Sequence, residues 1–142
     1  MMLALLLAAA TPGPREIPFD TTARAGLPAA AASFTAHGAT HRCTGVRLAD
    51  LAARAGLPAG EALRGEALRL LVVAEAKDGY RIAFTLAELD PSLGNKGVIV
   101  ADRCDGAALP AAEGPLRLVV PGEARAARSL RGLTALRVVT LP

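Results

Sequence analysis

The sequence predicts an α+β domain, a mostly antiparallel or mixed β-sheet with a few short helices. Apolar runs of strand length, such as LRLLVVAEA and GVIVAD, are set apart by the turn dipeptides Asp78-Gly79 and Asp105-Gly106. An Asp-Gly pair between apolar runs favours a tight hairpin, and hence antiparallel pairing. Helical periodicity is confined to two short stretches. The chain has 142 residues, 52% of them hydrophobic, which suits one domain around a filled core.

The elements follow in order. MMLALLLAAATPGP is apolar up to Ala8-Ala9-Ala10 and breaks at Thr11-Pro12. A short apolar run with a small-x-small end predicts a secretory signal over residues 1–10 and a periplasmic or secreted protein. No Lys or Arg precedes the run, so an apolar N-terminal strand or a misplaced start codon is the competing reading. The run is too short to span a bilayer, and no later segment is long and apolar enough. Residues 11–33, rich in Pro, Gly and Ala, are expected to form an extended arm, with the domain proper over 34–142. FTAHGATHRCT (34–44) predicts a strand pair turning at Gly38. Leu48, Leu51, Ala52 and Ala55 share one face of a short helix that Gly56 and Pro58 end. ALRLLVVAEAKDGYRIAFTL predicts a hairpin with a two-residue turn. Thr85, three residues before Glu88, forms a capping-box pattern opening a second short helix that ends at Pro91. GVIVAD is a third core strand that turns back through CDGAAL. In PLRLVVP, Leu116, Leu118 and Val120 alternate with Arg117 and Val119. ALRVVTL is the last strand.

Composition narrows the function. One Tyr, three Phe and no Trp give few platforms for stacking bases, and a net charge of +3 is small, so no nucleic-acid partner is expected. That charge is unevenly placed. Residues 113–142 carry five arginines against two glutamates, which is the whole net excess. Guanidinium forks suit carboxylate, phosphate or sulfate. Arg125, Arg128 and Arg131 are three apart, Ser129 adds a hydroxyl, and Gly122, Ala124, Ala126 and Ala127 would let a ligand approach the backbone. The pattern reads either as an anion site or as a solvated basic edge. There is no G-x-S-x-G elbow, phosphate loop or dinucleotide fingerprint. His37, His41 and Cys43 are metal-ligating types, but the two histidines would share a face only on a helix, which Gly38 and Thr40 oppose. No fourth ligand is evident, and Cys43 is the residue weighed as a metal ligand. Cys43 and Cys104 are the only cysteines. They read as a disulfide in an oxidising compartment or as two free thiols.

Four segments in order, KDGYRIAFTLAELDP, VIVADRCDGAALP, EGPLRLVVPG and ARSLRGLTALRV, resemble the second half of the molybdopterin-binding domain of the sulfite oxidase family. TGVRLADLAARAGL is similar to that family's upstream Gly-x-x-Leu helix. The resemblance covers about residues 38–140. It implies that fold, and oxygen-atom transfer at a molybdenum ligated by a cysteine thiolate. Arg128, Ser129 and Arg131 match the family's Arg-Ser-x-Lys, which implies a pterin-side contact region. Tyr80 matches the tyrosine of the Gly-Tyr strand, and Arg117 the strand arginine. The departures concern the metal. The family's metal cysteine precedes the Gly-x-x-Leu helix in its own loop, whereas residues 11–33 hold no cysteine and Cys43 sits only two residues before Gly45. The family's tryptophan after the basic residue is Gly132 here, and its larger N-terminal part has no counterpart.

The expectation is an exported, small, stand-alone relative without competent molybdenum catalysis. It would bind an anionic or pterin-like ligand, or a partner protein, near Tyr80, Arg117, Arg128, Ser129 and Arg131. No cofactor is expected from the residues themselves; molybdopterin enters only through the resemblance. The alternative is a molybdenum-cofactor oxidoreductase whose site is completed by Cys43 or by a partner subunit.

Overall fold

Strand-length apolar runs joined by turn dipeptides leave little choice but sheets. The computed structural model, which describes residues 15–142, holds nine strands in two sheets, every pairing antiparallel. The strands are β1 (Arg15–Glu16), β2 (Ala29–Ala36), β3 (Ala39–Arg47), β4 (Leu70–Ala76), β5 (Arg81–Thr85), β6 (Ile99–Cys104), β7 (Ala107–Ala108), β8 (Arg117–Val119) and β9 (Leu133–Thr140). Three short α-helices interrupt them, α1 (Thr21–Arg24), α2 (Leu48–Arg54) and α3 (Leu86–Leu89). One sheet has the order β1-β9-β4-β5. The other has the order β2-β3-β6-β7, and β8 also pairs with β6.

The fold class is the predicted one, and several local expectations hold. α3 begins with a capping box: the Thr85 hydroxyl accepts the Glu88 N–H, and the Glu88 carboxylate accepts the Thr85 N–H. α2 buries Leu48, Leu51 and Ala52. The β4–β5 turn differs from expectation. Ala76 and Tyr80 close a three-residue loop, the Gly79 N–H donates to the Ala76 carbonyl, and Gly79 sits at φ 87°. This is a type I turn with a left-handed third residue, a conformation glycine adopts without a Cβ penalty.

The extended arm is a correction. Residues 15–33 are integral to the domain. β1 pairs with β9, Ile17 is buried in the main core, and Asp20 caps α1 by accepting the Ala23 N–H. β2 pairs with β3 along its whole length. The run 1–10 read as a secretory signal lies outside the described residues. Among those described, no helix is long and apolar enough to cross a membrane.

Two apolar clusters lie on opposite faces of the second sheet. The larger takes Val46, Val100, Leu118 and Val120 together with Val72, Ala74, Phe84 and Leu136. The smaller takes Ala32, Phe34, Cys43, Ile99, Ala101 and Val119. β8 therefore feeds both, as its period-2 alternation requires. A β-bulge links β3 to β6: Gly45 pairs with Ala101 and Thr44 with Arg103, so Asp102 is the extra residue. That insertion resets the alternation of β6. It puts Cys104, three residues from Ala101, on the same face as Ala101 and directly across from Cys43. The two cysteines form a disulfide with a sequence separation of 61. In the chain-entropy model a loop of that size stabilises the fold by about 4 kcal/mol.

Gly45 is the glycine of the Gly-x-x-Leu segment, and the bulge explains it. A Cβ there would lie 1.9 Å from the Val100 carbonyl oxygen and 2.7 Å from the Ala101 Cα. Both are backbone atoms held in the sheet. Gly45→Ala should therefore cost roughly 3 kcal/mol or more. Gly97→Ala, whose Cβ would meet only a Pro121 side-chain atom at 3.9 Å, should cost less than about 1 kcal/mol. Urea midpoints of the two variants check this; equal losses would contradict it.

Candidate functional site

The tip of the β2–β3 hairpin, the β6–β7 turn and the 109–113 loop converge with the loop following β8. Between them lies a cleft of about 870 Å³, within the usual range for small-ligand sites. Its walls include Phe34, His41, Cys104, Glu113, Arg117, Arg125 and Arg131.

Arg117 is the buried anchor of this region, only 5% exposed. Strand alternation turns it away from the main core, onto the Phe34 ring, with its guanidinium carbon 4.2 Å from the ring centroid. Nη1 donates to Glu113 Oε1 at 2.8 Å and Nη2 to the Ser129 carbonyl at 2.6 Å. Burial pushes its pKa down, and the Glu113 carboxylate opposes that; an arginine so paired stays charged. Ser129 is also buried. Its hydroxyl accepts the Val120 N–H at 2.9 Å, so it tethers the loop to the end of β8.

Arg128, expected at the pterin side, does not line the cleft. Nε and Nη2 form a fork on Glu123 at 3.0 and 2.6 Å, Nη1 donates to the Ala83 carbonyl at 2.8 Å, and both Nη atoms reach Glu88. Its guanidinium carbon stands 4.7 Å from the Phe84 ring centroid. The pairing with Glu123 pushes the Arg128 pKa up and holds Glu123 below the usual carboxylate range. Every donor of this arginine serves the fold, clamping the loop after β8 to β5 and α3. Tyr80 acts likewise: its hydroxyl donates to the Ala127 carbonyl at 2.9 Å from outside the cleft.

Arg125 and Arg131 are different. Both are exposed on the cleft wall, and neither makes a salt bridge or side-chain hydrogen bond to a described residue. The other charged groups nearby are hydrogen-bonded to neighbours. Arg117 is matched by Glu113, and His41 Nδ1 lies 2.7 Å from Asp105 Oδ2, while Asp105 Oδ1 accepts the Arg42 N–H. His41 first, then the Arg42 N–H, holds the Asp105 carboxyl below its ordinary value. The groups left without a partner on the cleft are thus two guanidinium forks, which suit anions.

From sequence, Arg117, Ser129 and Arg131 were grouped as site residues, and the structure brings these three to one cleft. Arg128 and Tyr80 fall outside it. Arg125 was seen only as part of the arginine run, and Phe34, Glu113 and the His41–Asp105 pair were missed. The available signal for the last was the Asp105-Gly106 turn, which carries Asp105 back toward β3. The structure makes Cys43 half of the disulfide with Cys104, which leaves no thiolate there for a metal. Among the described residues no three His, Cys, Asp or Glu side chains cluster as metal ligands.

Fold and site together define a small antiparallel α+β domain with an arginine-edged cleft. The model of the oxidoreductase molybdopterin binding domain matches residues 22–142, and the chain belongs to that family. The match begins within the segment expected to be an arm. No curated protein matches the chain. Two guanidinium forks beside the buried Ser129–Arg117 frame suit the anionic side of a pterin cofactor. The donor set does not suit a molybdenum held by a cysteine thiolate, because both sulfurs are bonded to each other.

The division of labour among the arginines is testable by stability alone. Arg128→Ala should cost about 1–2 kcal/mol, since it removes the fork on Glu123, the contacts to Glu88 and the bond to the Ala83 carbonyl, leaving Glu123 only Lys96, whereas Arg131→Ala should change stability by less than about 0.5 kcal/mol. Glu123 adds a pH signature. Its folded pKa lies below the ordinary 4.5, so its pairing stabilises the fold above that pH and is lost as pH falls through the lowered value. Urea midpoints should drop below about pH 4.5 in the wild type and drop less steeply in Glu123→Gln. Parallel curves would contradict the assignment.

Proposed function

We propose that this domain binds a small anionic or pterin-like ligand, one presenting carboxylate, phosphate or sulfate groups, in the cleft bordered by Arg125 and Arg131, and that it does so without thiolate-ligated molybdenum chemistry. The observation that carries the reading is the pair of guanidinium groups without a partner on a wall whose other charged groups are hydrogen-bonded to neighbours. Arg117 and Ser129 fix the floor, and Arg125 and Arg131 meet the anion. Catalysis at a metal is left out of the reading because the two sulfurs hold each other.

Export belongs to the same proposal. The apolar run at residues 1–10 has the form of a secretory signal, and a disulfide persists best in an oxidising compartment.

Two experiments address the reading. Sulfate or phosphate, compared with chloride at equal ionic strength, should raise the melting temperature by roughly 2–6 °C at saturating concentration. The double substitution Arg125→Ala with Arg131→Ala should abolish that shift, while Arg128→Ala should lower the baseline and keep it. Absence of any anion-specific shift in the wild type would sink the proposal. Separately, protein purified from a host that makes molybdenum cofactor should carry far less than one molybdenum per chain. Stoichiometric molybdenum, lost in Cys43→Ser, would overturn the second half of the reading.

A further inference from the structure

We propose that the Cys43–Cys104 disulfide is a thiol-exchange site opening into the cleft, and that its exchange partner is a small thiol carrying carboxylates. The inference rests on the anion reading above and names the ligand's chemistry. The two sulfurs are not equivalent. Cys43 is fully buried among Ala32, Phe34, Ile99, Ala101 and Val119, whereas Cys104 is partly exposed and forms part of the cleft wall. A thiolate must approach the attacked sulfur from the side away from its partner sulfur. Cys104, on the cleft wall, is thus the sulfur proposed to be attacked, and Cys43, fully buried, is the one that leaves. The same cleft carries Arg125 and Arg131, whose forks suit carboxylates, and its volume of about 870 Å³ holds a tripeptide-sized molecule.

The step is a single exchange. The thiolate sulfur bonds to Cys104 Sγ as the Cys43–Cys104 bond breaks, and the electron pair leaves on Cys43 Sγ. The proton given up by the incoming thiol ends on Cys43, whose apolar surroundings favour the neutral thiol. The small thiol is oxidised to a mixed disulfide with Cys104, and Cys43 is reduced.

The test uses glutathione, which has one thiol and two carboxylates, against its diethyl ester, which keeps the thiol and loses the carboxylates. The oxidised protein is treated in native, low-salt buffer, quenched with acid and mapped by mass spectrometry. The adduct is expected on Cys104, forming roughly tenfold faster with glutathione than with the ester, the scale of one charge-assisted contact. Arg125→Ala with Arg131→Ala should bring the ratio close to one while the urea midpoint holds. An adduct on Cys43, equal rates for acid and ester, or exchange only at denaturant concentrations that unfold the chain would each overturn the proposal. The sulfate shift separates the two readings. If it persists while exchange fails, the anion site stands and the thiol chemistry falls. If both fail, both fall.

Discussion

A guanidinium enclosed on nearly all sides must be satisfied where it sits, and the end of the domain that holds the cleft is arranged around that requirement at Arg117. Desolvating an arginine costs several kcal/mol unless its donors and charge are matched. Here the match comes from three separate places: Glu113 before β8, the Ser129 carbonyl after it, and the Phe34 face on β2. Moving any one of them leaves a buried charge partly unpaired. The segment from Glu113 to Ser129 is therefore held as a unit, and the Ser129 hydroxyl on the Val120 N–H fastens its far end. The buried charge fixes this stretch as the floor of the cleft.

With the floor fixed, the rim holds the arginines without partners among the described residues. The three arginines at 125, 128 and 131 share a spacing that suggests one helical face, yet the backbone divides them. Arg125 precedes a single 3-10 turn at Ala126–Arg128, Arg128 closes it, and Arg131 follows the bend at Ser129. They are therefore sent to different surroundings, and their roles follow from where the carboxylates lie. Arg128 meets Glu123 and Glu88 and becomes a structural clamp. Arg125 and Arg131 meet neither. Like residue types at equal spacing thus yield one structural side chain and two that remain available, a distinction set by long-range packing.

What the sequence made legible is what depends on near neighbours. The Thr85–Glu88 capping box, the α2 face, the Asp105-Gly106 turn and the Leu116–Val120 alternation each involve residues a few positions apart, and each appears in the structure. What it hid depends on distant partners. β2 is written largely in alanine, which has weak strand preference, and it becomes a strand because β3 pairs with it along its full length. Arg128 looked like a ligand contact because Ala83 and Glu88, some forty positions earlier, gave no local sign of reaching it. The facing of Cys43 and Cys104 depends on one inserted residue, Asp102, which a period-2 reading of β6 would not anticipate.

That insertion bears on how this family member is built. Without the extra residue, continued alternation would put Arg103 on the face of Ala101 and turn Cys104 to the opposite face. The bulge and the Gly45 contact beneath it thus place two sulfurs face to face at the edge of the smaller core, one sealed and one on the cleft wall. The sequence resemblance implies a cysteine thiolate at a metal, whereas the fold of this family member joins both of its cysteines in a disulfide. The arginine-edged cleft does not require that thiolate: its floor is set by Arg117, Ser129 and Phe34, and its rim by Arg125 and Arg131. Anion recognition and metal ligation are thereby separable properties of this architecture. On the proposed reading the first relies on Arg125 and Arg131, which have no partner among the described residues, and the two sulfurs meet in the one bond that borders the same cleft.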